Sequence, residues 1–201
     1  MTTGSASEPA FVTVVSGLPR SGTSMMMQMI AASGLPILTD DARVPDRSNP
    51  RGYFEHEAVK RLARESGFVS SASGMALKVV SPLLPRLPSG PHYRIVLMKR
   101  DLDEVLRSQA RMMGGAAANS PAEREGEDGI LRAAFTKSMA QARAWIENDP
   151  NTLGLEIEHG EALCEPLQVA RRVAEFLGTS SETDALAGMA AAVDTSLYRA
   201  R

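Results

Sequence analysis

The chain has 201 residues, enough for one compact domain with a sizeable core and too few for a multidomain machine. Hydrophobic residues at 43% and charged residues at 23% are ordinary globular values, which excludes wholesale disorder and the collagen-like and disulfide-dense classes. A net charge of -2 gives no global attraction to nucleic acid or to an anionic membrane surface.

The only cysteine is Cys164, so neither an internal disulfide nor a cysteine-based zinc cluster can form, and a reducing, cytoplasmic setting is expected. Nothing basic precedes the apolar run Phe11 to Val15, which is too short for the core of a signal peptide. No later stretch approaches the roughly 18 apolar residues of a membrane helix. Arginines far outnumber the four lysines Lys60, Lys78, Lys99 and Lys137, a bias that fits a GC-rich, bacterial source.

Residues 1 to 10 are small and polar, end near a proline, and read as a flexible tail before a single domain over 11 to 201. FVTVV, from Phe11, is a continuous β-branched run of the kind a buried parallel strand requires, and the glycine loop GLPRSG separates it from a helix over Thr23 to Ser33. Residues 39 to 53 combine prolines, aspartates and a glycine into a long loop, and Phe54 to Glu65 then reads as a helix with Val59 and Leu62 inward. MALKVV at 75 to 80 and RIVLM at 94 to 98 are the next two strands, after which Asp101 or Asp103 opens a helix to about Met113. Residues 114 to 128 carry almost no large apolar groups and read as a mobile loop or lid which, with 39 to 53, borders an acceptor cleft.

Leu131, Phe135, Met139, Ala142 and Trp145 recur at helical spacing, and NDPN ends that helix before a fourth strand, TLGLEI. Pro166 starts the last patterned helix, with Leu167, Ala170, Val173, Ala174 and Leu177 on one stripe and Gly178 as its stop signal. Strands alternating with helices predict an α/β fold, a three-layer α/β/α arrangement around a central parallel sheet of the P-loop NTPase-like kind. Ligands of such sheets bind beyond the carboxyl ends of the strands.

The chemistry concentrates in Gly17-Leu-Pro19-Arg20-Ser21-Gly22-Thr23-Ser24. A glycine loop between a strand and a helix presents backbone N–H groups and the positive end of the helix dipole to an anion. A Walker A loop would place lysine before the final hydroxyl residue, but position 23 is threonine and the loop's cation is Arg20. Met25, Met26, Met27 and Met29 fill core on the following helix. His92 and His159 read as isolated turn residues outside any metal-site spacing.

PRSGTS after a buried strand resembles the phosphosulfate-binding loop of the sulfotransferases, in the form seen in tyrosylprotein-type and many bacterial members. KRDLDEVLRS at 99 to 108 resembles their second motif, whose arginine and serine, here Arg100 and Ser108, bind the 3′-phosphate of the nucleotide. NPRGYFE, LKVVSP and LEIEHGEALCEPLQVARRVAEFLG extend the resemblance over most of residues 11 to 178. It implies transfer of a sulfuryl group from 3′-phosphoadenosine 5′-phosphosulfate to a hydroxyl or amine on a small-molecule or peptide acceptor, without a metal. The donor would be held by Pro19, Arg20, Ser21, Gly22, Thr23, Ser24, Arg100 and Ser108. Lys78 falls where the family places a strand-terminal lysine, and the histidine that cytosolic small-molecule enzymes carry two residues later is here Val80.

Fixed cations stabilise the charge that develops on the leaving oxygen, a role suited to Arg20 and Lys78. A base must take the acceptor proton, and Glu55 is the first candidate, His56 the second. Two alternatives stand beside this reading: a P-loop kinase or NTPase-like enzyme, and a nucleotide-binding protein without transfer activity.

Overall fold

A computed structural model describes residues 10–40, 52–112 and 121–197, with the side chains of 121–127 and 197 excepted. Strand β1 (Phe11–Gly17) leads to helix α1 (Thr23–Ala32). A 3-10 turn (Glu57–Arg61) and the single-turn α2 (Phe68–Ser71) precede β2 (Ala76–Lys78), and a second 3-10 turn (Ser81–Arg86) leads to β3 (His92–Lys99). Then follow α3 (Leu102–Met112), α4 (Pro121–Asn148), β4 (Thr152–Glu158), α5 (His159–Cys164), α6 (Pro166–Leu177), α7 (Thr183–Ala191) and a last 3-10 turn (Thr195–Leu197).

The four strands form one parallel sheet in the order β2-β1-β3-β4, as the alternation of strand and helix requires. Successive strand residues point to opposite faces. Val12, Val14, Leu77, Tyr93, Ile95 and Leu97 pack into one core with Ala142 of α4, whereas Val15, Ala76, Val96 and Met98 pack into another with α1, α6 and α7. Met26, Met27, Met29 and Ile30 are sealed in that second core, each such side chain contributing about 1.5–3 kcal/mol of burial. The methionines are core, as expected.

Strand β1 lies between β2 and β3, so the chain leaves it toward one neighbour and later returns on its other side. That reversal opens a crevice at the carboxyl ends of β1 and β3, the position where open α/β sheets bind ligands.

Several sequence expectations need correction. No helix spans 54–65. Phe54 sits at φ 52, a left-handed conformation incompatible with a helix start, and only the 3-10 turn Glu57–Arg61 forms, although Val59 and Leu62 are buried as expected. Of the expected loop at 114–128, residues 121–128 are already α4, because proline suits a first helical position and the Ala, Glu and Arg that follow favour helix without large apolar groups. The remainder of that loop, residues 41–51 of the earlier one, and the tail 1–9 lie outside the described residues. Leu167 is exposed and does not join the α6 stripe, which is otherwise buried as expected and ends at Gly178 in the left-handed region. Nor is α6 the last helix, since α7 packs Leu186 and Met189 into the second core. Among the described residues, no helix is long and apolar enough to cross a membrane.

Candidate active site

The chain leaves β1 at Gly17 and reaches α1 through two left-handed residues, Arg20 (φ 69) and Gly22 (φ 96). For arginine this conformation costs about 1–2 kcal/mol, so the surroundings must hold it. Leu18 anchors the loop in a small apolar cluster with Val105, Leu106 and Phe135. At both ends of the loop only glycine fits. A Cβ on Gly17 would lie 2.5 Å from Ser21 Oγ and 2.8 Å from the Met98 carbonyl, and one on Gly22 would lie 2.6 Å from His159 Cδ2.

Gly22 caps α1 without a side-chain hydrogen bond, and the first turn of α1 holds no acidic residue. The positive end of the helix is therefore uncompensated by any carboxylate of its own first turn. Ser21 Oγ is sealed inside the loop with no hydrogen-bond partner among the described residues, and an unsatisfied buried hydroxyl of this kind is costly in a native fold. A loop with these features suits an oxyanion group.

Arg100 follows the last residue of β3 and turns back to this loop. Its Nη1 donates to the Arg20 carbonyl at 2.9 Å, and its Nε donates to Glu104 Oε2 at 2.9 Å. Ser108 lies two turns along the adjoining helix, where its Oγ accepts from Arg20 Nε at 3.1 Å. Residues 80 and 88 positions apart in sequence thus meet at one loop. Asp101 opens α3 by accepting the Glu104 N–H at 3.0 Å, which settles the choice between Asp101 and Asp103.

On the opposite side, Lys78 closes β2 with its side chain only 6% exposed. Its ammonium donates to the Tyr53 carbonyl at 2.8 Å and to Ser24 Oγ at 3.1 Å, and stands 3.5 Å from Glu55 Oε1. Glu55 is held from behind, its backbone carbonyl accepting from Thr39 Oγ1 at 2.9 Å. His56 behaves differently. Its Nδ1 accepts the Ala58 N–H at 3.3 Å, capping the 3-10 turn, and its ring stacks on Phe68. With Nδ1 engaged as an acceptor, a neutral ring carries its proton on Nε2 and offers no lone pair for base chemistry.

Two residues that sequence reasoning passed over also belong here. His159 is a buried residue at the start of α5, set against Gly22, and not an isolated turn residue. Burial, and then the Arg100 charge beside it, push its pKa down to about 4, against the opposing pull of Glu104. The signal was its place directly after a strand, at the ligand-binding edge of the sheet. His92, likewise read as a turn residue, is the first residue of β3. Glu104 was legible only as the residue one helical turn beyond Arg100.

Sheet and helices define an α/β protein built on a four-stranded parallel sheet. The more particular likeness is to the sulfotransferases. The sulfotransferase domain from the curacin biosynthetic pathway matches with a TM-score of 0.54 at 16% identity, over 92% of this chain and 83% of that one. The sulfotransferase STF1 from Mycobacterium tuberculosis H37Rv matches at 0.57 and 13%, over 90% and 70%. The mouse sulfotransferase SULT7A1, solved as a complex with PAP, matches at 0.53 and 16%, over 93% and 64%. This chain has the sulfotransferase fold. No protein-family model matches it, and no curated protein matches its sequence.

Proposed function

We propose that the protein is a sulfotransferase that moves a sulfuryl group from 3′-phosphoadenosine 5′-phosphosulfate to a hydroxyl or amine acceptor. The observation that carries this reading is the meeting of Arg20 with Ser108, and of Arg100 with the Arg20 carbonyl, at the first turn of α1. A nucleotide with separate phosphate groups at its 5′ and 3′ positions needs two cationic sites close together, and here they share one loop. The buried Ser21 hydroxyl, without a hydrogen-bond partner among the described residues, and the two glycines, Gly17 packed against the Met98 backbone and Gly22 against the His159 ring, fit such a ligand.

The roles divide by position. Pro19, Arg20, Ser21, Gly22, Thr23 and Ser24 would hold the phosphosulfate end, and Arg100 and Ser108 the 3′-phosphate. The bound donor supplies an activated sulfuryl group whose leaving oxygen gains negative charge as transfer proceeds. Lys78, buried and tied to Ser24 beside the loop, would face that charge. Glu55, paired with Lys78, would take the acceptor proton, ahead of His56, whose Nδ1 caps the 3-10 turn. The acceptor itself, small molecule or peptide, is left to the assay.

The test compares 3′-phosphoadenosine 5′-phosphate (PAP) with AMP by calorimetry. PAP should bind more tightly, and Arg100→Ala should erase most of the difference, a loss of roughly ten- to a hundredfold for one charge-assisted contact. Equal binding of the two nucleotides by the wild-type protein would overturn the reading. A labelled-sulfate transfer assay over an acceptor library, run with EDTA, then tests turnover. Strict dependence on magnesium would favour a kinase instead.

A further inference from the structure

We propose that Glu104 is a positioning residue that locks the anion loop through Arg100. Arg20 holds a left-handed backbone that a non-glycine residue adopts only under external constraint. Its carbonyl is gripped by Arg100 Nη1 at 2.9 Å, while the other edge of the same guanidinium, at Nε, is gripped by Glu104 Oε2 at 2.9 Å. A planar guanidinium fixed at two points has a fixed direction. Glu104 therefore decides where Arg100 points, and Arg100 decides how the loop backbone lies.

The base of this lock is rigid. Asp101 Oδ1 accepts the Glu104 N–H, and the next residues, Val105 and Leu106, are buried in the cluster that also anchors Leu18 of the loop. The Arg100 side chain is 9% exposed, so water competes poorly for its hydrogens. On the far side of the loop, the His159 ring closes against Gly22. The loop is thus braced at both of its left-handed residues by side chains from the ends of β3 and β4, before any ligand arrives.

A competing role for Glu104 follows from its charge alone. A carboxylate one turn from Arg100 could simply oppose an incoming phosphate, and then its removal would tighten binding. The lock requires the reverse, because losing the acceptor for Nε removes one of the two points that hold the guanidinium in its present direction. Amide and carboxylate differ little in this respect, since the glutamine side-chain oxygen also accepts a hydrogen bond.

The experiment uses the full chain with Glu104→Ala, Glu104→Gln and Arg100→Lys. Amide hydrogen exchange of Ser21, Gly22 and Thr23 is measured without ligand, and PAP and inorganic sulfate are then titrated by calorimetry. Glu104→Ala should speed exchange of those amides on the order of tenfold while leaving Val12 to Val15 unchanged. It should also weaken both ligands about tenfold, the worth of one lost orienting hydrogen bond. Glu104→Gln should recover most of both effects. Arg100→Lys keeps the charge but lacks a two-edged fork, so it should loosen the loop as Glu104→Ala does.

Unchanged exchange in Glu104→Ala, or tighter binding in both Glu104 variants, would overturn the lock. If Glu104→Ala does not fold, equal exchange in Glu104→Gln and Arg100→Lys overturns it as well. Only the choice of PAP rests on the sulfotransferase reading. A wild-type protein that fails to separate PAP from AMP defeats that reading, and the exchange measurements still decide the lock.

Discussion

Acid should destabilise this protein through His159 in particular. The residue is 7% exposed, its ring is set against Gly22, and the Arg100 guanidinium makes a second positive charge costly. Glu104, the neighbouring carboxylate, offsets part of that cost. With its pKa lowered from 6.5 to about 4, the imidazole is neutral in the folded state over a range where the unfolded chain binds a proton. Unfolding then takes up a proton, so stability rises with pH between about 4 and 6.5 and is lost as pH falls through that window. At 1.36 kcal/mol per decade, the loss attributable to this side chain is about 2 kcal/mol at pH 5 and about 3 kcal/mol at pH 4, measured against pH 7.5.

Urea unfolding at pH 7.5, 5 and 4, for the wild type and for His159→Gln, measures this directly. Carboxylates titrate in both proteins, so the difference between the two pH profiles isolates the histidine. The wild type should lose about 2–3 kcal/mol more than the variant on going to low pH. Parallel profiles would refute the reasoning, as would an NMR titration of the His159 ring with its midpoint near 6.5.

Four further outcomes follow from the geometry. Gly22→Ala should cost about 2–4 kcal/mol in denaturant unfolding, because φ 96 strains alanine and its methyl would overlap the His159 ring; a loss under about 1 kcal/mol would contradict the close approach. Arg20→Gly should fold about 1 kcal/mol more stably than Arg20→Ala, since glycine relieves the left-handed strain, while both weaken donor binding and transfer together. Glu55→Gln should slow transfer by about 10²–10⁴-fold with donor affinity unchanged, and an unimpaired variant would discard Glu55 as the base. Lys78→Met should lower kcat by about 10²–10³-fold while sparing PAP affinity, and calorimetry showing equal losses in both would place Lys78 in ground-state binding instead.

Much of this architecture was legible before any coordinates. FVTVV and RIVLM are rich in β-branched and apolar residues because both faces of a central parallel strand are buried, and β1 and β3 are those central strands. The tight turn between β1 and α1 was legible because Gly17 and Gly22 punctuate the passage from a buried strand to a helix. The family resemblance assigned Arg20 and Ser108 to one nucleotide, but their direct hydrogen bond was not legible in the sequence, since nothing local couples two residues 88 positions apart. The misreadings have common causes. Composition without large apolar groups looks like loop, yet the first turns of α4 form from intrinsic propensity. Helical spacing around Val59 and Leu62 looks like helix, yet one left-handed residue, Phe54, and a histidine cap reduce it to a 3-10 turn. His159 looked idle because its neighbours Arg100 and Glu104 come from other strands and helices, and burial is a property of the fold.

The electrostatics of the site explain why the overall charge gave so little warning of it. An arginine or lysine with under a tenth of its side chain exposed is costly to bury without a partner. Here Arg100 pairs with Glu104 and Lys78 with Glu55, while Arg20 reaches the neutral Ser108. Each of these two buried cations brings its own carboxylate, so together they leave the net charge unchanged. What these pairs leave uncompensated is the first turn of α1, which carries no acid of its own. In the proposed function an anion would gain from helix dipole and loop N–H groups in a frame that the paired side chains fix, so the arrangement of the charges and not their sum would decide its binding.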